Sequence, residues 1–117
     1  MTSGTLEFQT ALAELRELNR LVGDRFFYGG QTFRALEHYT AIPANSRSRT
    51  DHNNIACTMA RMAEKIGYPQ LHETAIEYYL LALKFSPESS LSDEKIEERI
   101  RFSQQRLRES IQNTSNN

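Results

Sequence analysis

The sequence predicts an all-α fold of about five helices, folded back on one another as antiparallel pairs. Three observations carry that reading. Apolar residues recur at steps of three and four over most of the 117 residues, the spacing that puts side chains on one face of a helix. The breaks between these runs hold helix-stopping residues: Gly29-Gly30, Pro43, Gly67, Pro69 and Pro87. A pattern of small and aromatic residues also recurs. Gly23, Phe26, Gly30, Ala35 and Tyr39 return as Ala60, Ala63, Gly67, Ala75 and Tyr79, with Ala82 and Pro87 completing the second copy. A repeat of this kind marks helix pairs that cross at small residues and interlock through aromatics.

The first helix is predicted from Thr5 to Tyr28. Phe8, Ala11, Leu12, Leu15, Leu18, Val22 and Phe26 share one face, with Glu7, Glu14, Arg16, Glu17 and Arg20 largely away from it, and Gly29-Gly30 stops it. Thr32 is placed to cap a second helix from Phe33 to Ile42, which Pro43 ends. A polar loop follows to Thr50. Asp51 is placed to cap a third helix with the stripe Ile55, Met59, Met62 and Ile66, and Gly67 lies just beyond its end. A fourth helix is predicted from Pro69 to Phe85. It is apolar on two opposite faces, Ile76-Tyr79-Leu80-Leu83 and Tyr78-Leu81-Ala82-Phe85, so it is expected between two neighbours or at a subunit contact. Ser92, with Asp93 and Glu94 behind it, starts a fifth helix carrying Ile96, Ile100, Leu107 and Ile111. Asn113 to Asn117 are expected to form a disordered tail.

Length and charge narrow the function classes. The chain is expected to be one domain, residues 1–117. Fourteen basic residues against fifteen acidic leave a net charge of −1, so no global field draws the protein to nucleic acid or to an anionic membrane. No apolar run approaches the roughly 18–20 residues that span a bilayer. The opening MTSGTLEFQT lacks the basic segment and apolar core of a secretion signal, and Cys57 has no partner for an internal disulfide. Those features predict a cytoplasmic protein.

At the repeated residues the chain resembles the tetratricopeptide repeat family. The first copy spans about 16–49 and the second about 53–89, with a capping helix over about 92–112; the closest match runs from Ala75 through Tyr79 to Ala82-Leu83. Three more residues separate Gly67 from Ala75 than Gly30 from Ala35, Ala63 stands where an aromatic is usual, and Pro43 comes early. The resemblance implies a right-handed solenoid of antiparallel helix pairs with a concave face where a partner's peptide or helix docks. It places Arg20, Asp24, Phe27 and Tyr28 from the first helix, and Arg61 and Lys65 from the third, as partner-binding residues. Asp24 and Thr58 stand where a carboxylate clamp of that family has asparagines, so the clamp is not expected here.

Phe27 and Tyr28 fall off the main stripe of the first helix and read either as groove anchors or as packing on the second helix. Arg47 and Arg49, with Arg34, read either as a basic loop patch or as an ordinary solvated loop, and the near-zero net charge favours the loop. His38, His52, His72 and Cys57 show no metal-binding spacing, and no phosphate loop or paired carboxylates suggest catalysis. No cofactor, metal or enzyme activity is expected. The sequence therefore predicts an adaptor or chaperone-like module that binds another protein. The alternative is an assembly protein that self-associates through its fourth helix.

Overall fold

The computed structural model describes residues 2–115, with side chains over 6–113. It is helical: α1 (Thr2–Tyr28), α2 (Thr32–Ala41), α3 (Arg49–Ile66), α4 (Leu71–Leu83) and α5 (Asp93–Ser115), with one 3-10 turn at Ala44–Ser46. Among the described residues there is no strand, and an isolated bridge pairs Glu88 with Leu91 in the α4–α5 connection. The chain divides into two compact units, Met1–Ser46 and Arg47–Asn117.

In the first unit α1 and α2 run antiparallel. Their contacts step in opposite directions along the two helices: Arg34 over the Phe26 ring, His38 on Asn19, Tyr39 on Asp24, and Ser46 accepting from Arg16. The crossing depends on Gly23, whose bare Cα lets the buried Tyr39 ring lie directly on the α1 backbone. A Cβ there would fall 2.5 Å from Tyr39 Cε1. Gly30 supplies the turn at φ +81, with the Gln31 amide reaching back to the Phe26 carbonyl. That left-handed conformation strains any residue with a side chain. The α2 cap differs from expectation. Gln31 holds the cap position with no side-chain bond, and Thr32 is a buried first residue of the helix. The cap signal at Thr32 was one place off because the Gly30 turn brings the chain into the helix one residue early.

The second unit is a three-helix layer with α4 in the middle, packed on α3 and on α5. Its core is Ala56, Ala75, Tyr79, Ala82, Leu91 and Ile96. Of the small residues predicted in this stretch, Ala63, Ala75 and Ala82 are buried and Ala60 is half-buried, Ala56 taking the interior place on α3. The two-sided burial of α4 has its cause in α3 and α5. Leu80 stays exposed. Helix α3 starts two residues before the predicted cap. Ser48 is the cap, bonded by the Asp51 amide, while the Asp51 carboxylate accepts from the Ser48 amide. Asp51 is thus the third residue of a capping box, and its acidic side chain sits one turn in. Gly67 closes α3 at φ +67. Helix α4 begins at Leu71, with Pro69 in the preceding turn. Ser92 caps α5 through the Lys95 amide. The expected tail at Asn113 does not begin there, since α5 continues through Ser115; Asn116 and Asn117 lie outside the described residues.

The largest correction concerns Arg49. Read from sequence as a solvated loop arginine, it is 1% exposed. Its Nε donates to the Leu91 carbonyl (3.0 Å), and Nη1 donates to those of Phe85 (2.6 Å) and Ala82 (3.3 Å). Its Nη2 pairs with Asp93 at 2.5 Å. One guanidinium therefore adds a charged donor to carbonyls at the end of α4 and in the following loop, where those of Ala82 and Leu91 also accept the Phe85 and Glu88 amides, and it ties them to the start of α5. It is the residue that turns a hairpin and a following helix into one packed unit.

Candidate functional site

The second unit has a polar interior. His72, fully buried, touches Ser103 Oγ through Nδ1 (2.9 Å) and Glu64 Oε2 through Nε2 (3.0 Å). Arg106 pairs with Glu64 at 2.9 Å and with Glu109 at 2.7 Å. The hydrogen bond from His72 holds the Glu64 carboxyl below its usual range; burial opposes it, and the bond and charge of Arg106 add to the lowering. A serine, a histidine and a glutamate in line invite comparison with a hydrolytic triad. Ser103, however, is fully buried within α5, where no substrate carbonyl can reach its hydroxyl. The chain of contacts pins α3, α4 and α5 together instead.

Cys57 is half-buried and accepts a bond from the Tyr79 hydroxyl at 3.4 Å. Burial, then the neighbouring thiol, pushes the tyrosine's pKa up. His52 is buried against Tyr78 and Phe85, and its Nδ1 has no hydrogen-bond partner. Burial, then the charge of Arg47, lowers its pKa. Among the described residues no group of three His, Cys, Asp or Glu side chains could hold a metal ion, and no helix is long and apolar enough to cross a membrane.

The first unit offers a different kind of surface. Helix α1 has 27 residues and α2 has 10, about 40 Å against about 15 Å at the helical rise. A helix that short cannot cover α1: of the predicted stripe Phe8, Ala11, Leu12, Leu15 and Leu18 are left in water, while Val22 and Phe26 are half-buried. Phe8 is 64% exposed and Leu18 57%, and Leu6 and Leu21, which lie off that stripe, are exposed as well. Periodicity identified the shared face correctly but carried no information on whether anything packs against it. At the C-terminal end of this face lies an open, mainly apolar hollow of about 660 Å³, lined by Leu18, Leu21, Val22, Asp24, Arg25 and Tyr28.

The predicted contact residues fall in both units. On α1, Tyr28 is 84% exposed and lines the hollow. Phe27 is half-buried with its ring edge-on to Tyr28 at 5.4 Å. Asp24 lines the hollow and also accepts from the Tyr39 hydroxyl, so it positions α2 as well. Arg20 is half-buried and pairs with Glu17 at 2.6 Å. On α3, Arg61 and Lys65 are exposed one turn apart. The residues that sequence reasoning missed are Leu18, Leu21 and Arg25, whose signal was present in the α1 stripe and its flank. No family model matches the chain, and no curated protein or solved structure matches it either.

Proposed function

We propose that this chain is a non-enzymatic protein–protein interaction module of the tetratricopeptide-like kind, working as an adaptor, and that α1 presents its binding surface. The observation that carries the reading is the exposed apolar face of α1. Soluble monomers rarely leave a contiguous apolar patch of this extent in water unless it meets a partner. Its shape suits an amphipathic helix laid along α1, with apolar side chains entering the hollow beside Tyr28 and acidic ones near Arg25. Arg61 and Lys65 are proposed as contacts for an acidic partner segment in their own right. Phe27 supports Tyr28 from below. The fourth helix suits self-assembly less well, because α3 and α5 already cover both its sides.

The test compares the wild-type chain with a Leu21→Glu, Tyr28→Ala variant, both immobilised and exposed to an extract of the native host. The expected result is a protein retained by the wild type whose purified form binds the variant at least about ten-fold more weakly in calorimetry, as for loss of a central anchor. Equal retention and equal affinity would contradict the reading.

A further inference from the structure

The apolar face of α1 has a spacing and a charge distribution that fit it to itself. Phe8, Ala11, Leu15, Leu18 and Val22 follow alternating steps of three and four, the repeat of a helix that packs along its length against another helix. Glu7 and Glu14 are the only charges in α1 before Arg16, after which Arg16, Arg20 and Arg25 outnumber Glu17 and Asp24. The N-terminal half is acidic and the C-terminal half is net basic. Arg16 and Arg20 are engaged within the chain by Ser46 and Glu17, so the basic group beside the seam is Arg25. An antiparallel copy sets Glu7 beside Arg25 and opposes the helix dipoles, while a parallel copy sets Glu7 beside Glu7 and Arg25 beside Arg25.

We infer that α1 pairs with α1 of a second copy of this chain, antiparallel and about a two-fold axis. The inference rests on the reading of α1 as the interaction surface and names what covers it. The register follows from the seam. Leu15 meets Leu18 of the second copy, and Ala11 receives the bulkier Val22. Phe8 lies under the guanidinium of Arg25, with Glu7 beside it. The contact is isologous, so it closes as a dimer and leaves no open end for further growth.

Sedimentation velocity over a range of concentrations tests the pairing. The full chain is expected to form dimers at micromolar concentration. Leu15→Glu with Leu18→Glu is expected to raise the dissociation constant at least about 100-fold with unchanged helical circular dichroism, because both side chains are exposed in the single chain. A second variant, Glu7→Lys with Glu14→Lys, weakens pairing without touching the apolar seam, and adding Arg25→Glu restores it. Orientation is read in a Cys57→Ser background. Mixing Ala11→Cys with Val22→Cys chains gives the crosslinked dimer, and Ala11→Cys alone does not. A crosslink of Ala11→Cys chains to each other overturns the antiparallel arrangement. A chain that stays monomeric, yet loses another protein's binding on Leu15→Glu with Leu18→Glu, overturns self-pairing and keeps the interaction surface. A monomer whose binding is unaffected overturns both.

Discussion

The two units begin from the same local device and end differently. In each, a tyrosine on the second helix of a hairpin is buried against the first helix: Tyr39 at 1% exposure and Tyr79 at 3%. Tyr39 lies on Gly23 and bonds Asp24, while Tyr79 sits among alanines and bonds Cys57. Both first helices end on a left-handed glycine, Gly30 and Gly67. The second unit then adds α5 and the Arg49 latch, which cover the far side of α4. Among its described residues the first unit has no third α-helix, and its longest helix keeps apolar side chains in water. Equal repeat signals therefore do not mean equal burial. The uncovered unit is where a partner has the most apolar surface to remove from water.

The most forceful way to break this contrast is Arg49→Met. It strips the donor from the carbonyls of Ala82, Phe85 and Leu91 and leaves Asp93 without its cation. Leaving these carbonyls short of a charged donor costs about 1–3 kcal/mol each, while half-exposed Asp93 loses little. Urea unfolding should show that loss, and hydrogen exchange should speed in α3, α4 and α5 with α1 and α2 unchanged. An effect under about 1 kcal/mol would show that the latch is dispensable, since that is the net value of a single ordinary hydrogen bond.

Gly23→Ala is the matching experiment in the first unit. The new methyl collides with the Tyr39 ring, which its hydroxyl bond to Asp24 keeps from sliding away. Overpacking of this kind costs about 1–3 kcal/mol. Exchange should speed in α2 and leave α3 to α5 as they were. A variant as stable as the parent would mean that the helix crossing has room that the close approach denies.

The smallest effect is in pH. Burial lowers the His52 pKa, so between the ordinary histidine value of 6.5 and the lower folded value the unfolded chain holds the extra proton. Stability then falls as pH drops through that window, by at most about 1.4 kcal/mol per pH unit for one proton. Glu64 adds an acid-side term of the same direction. Its folded pKa lies below the ordinary 4.5, so its contribution is complete above that value and fades as pH falls toward the folded one. Thermal melts of the parent and His52→Phe should differ in slope below pH 6.5 and run parallel above it. Parallel curves throughout would remove His52 from the account.

Much of this architecture was legible because it is written locally. Three- and four-residue spacing gave the five helices, and the small and aromatic residues Ala35, Tyr39, Ala75, Tyr79 and Ala82 are indeed interior. Boundaries moved by a residue or two where cap signals compete, as at Ser48 against Asp51. The Arg49 latch was not legible, because its partners lie 33 to 44 residues away and a serine- and arginine-rich stretch reads as loop by composition. The candidate surface was half legible. Sequence shows which α1 side chains share a face, but coverage of that face depends on the length of α2 and on what the rest of the chain provides.

The most direct test is peptide-resolved hydrogen exchange of the full chain at two concentrations, one dilute and one well above the expected dissociation constant. In dilute solution the account predicts slow exchange in α3 and α4 and fast exchange in the N-terminal half of α1, with raised concentration protecting α1 alone. Protection of α1 equal to that of α4 at both concentrations, or unchanged fast exchange in α1 at high concentration, would contradict the claim that α1 is a helix waiting for a second copy.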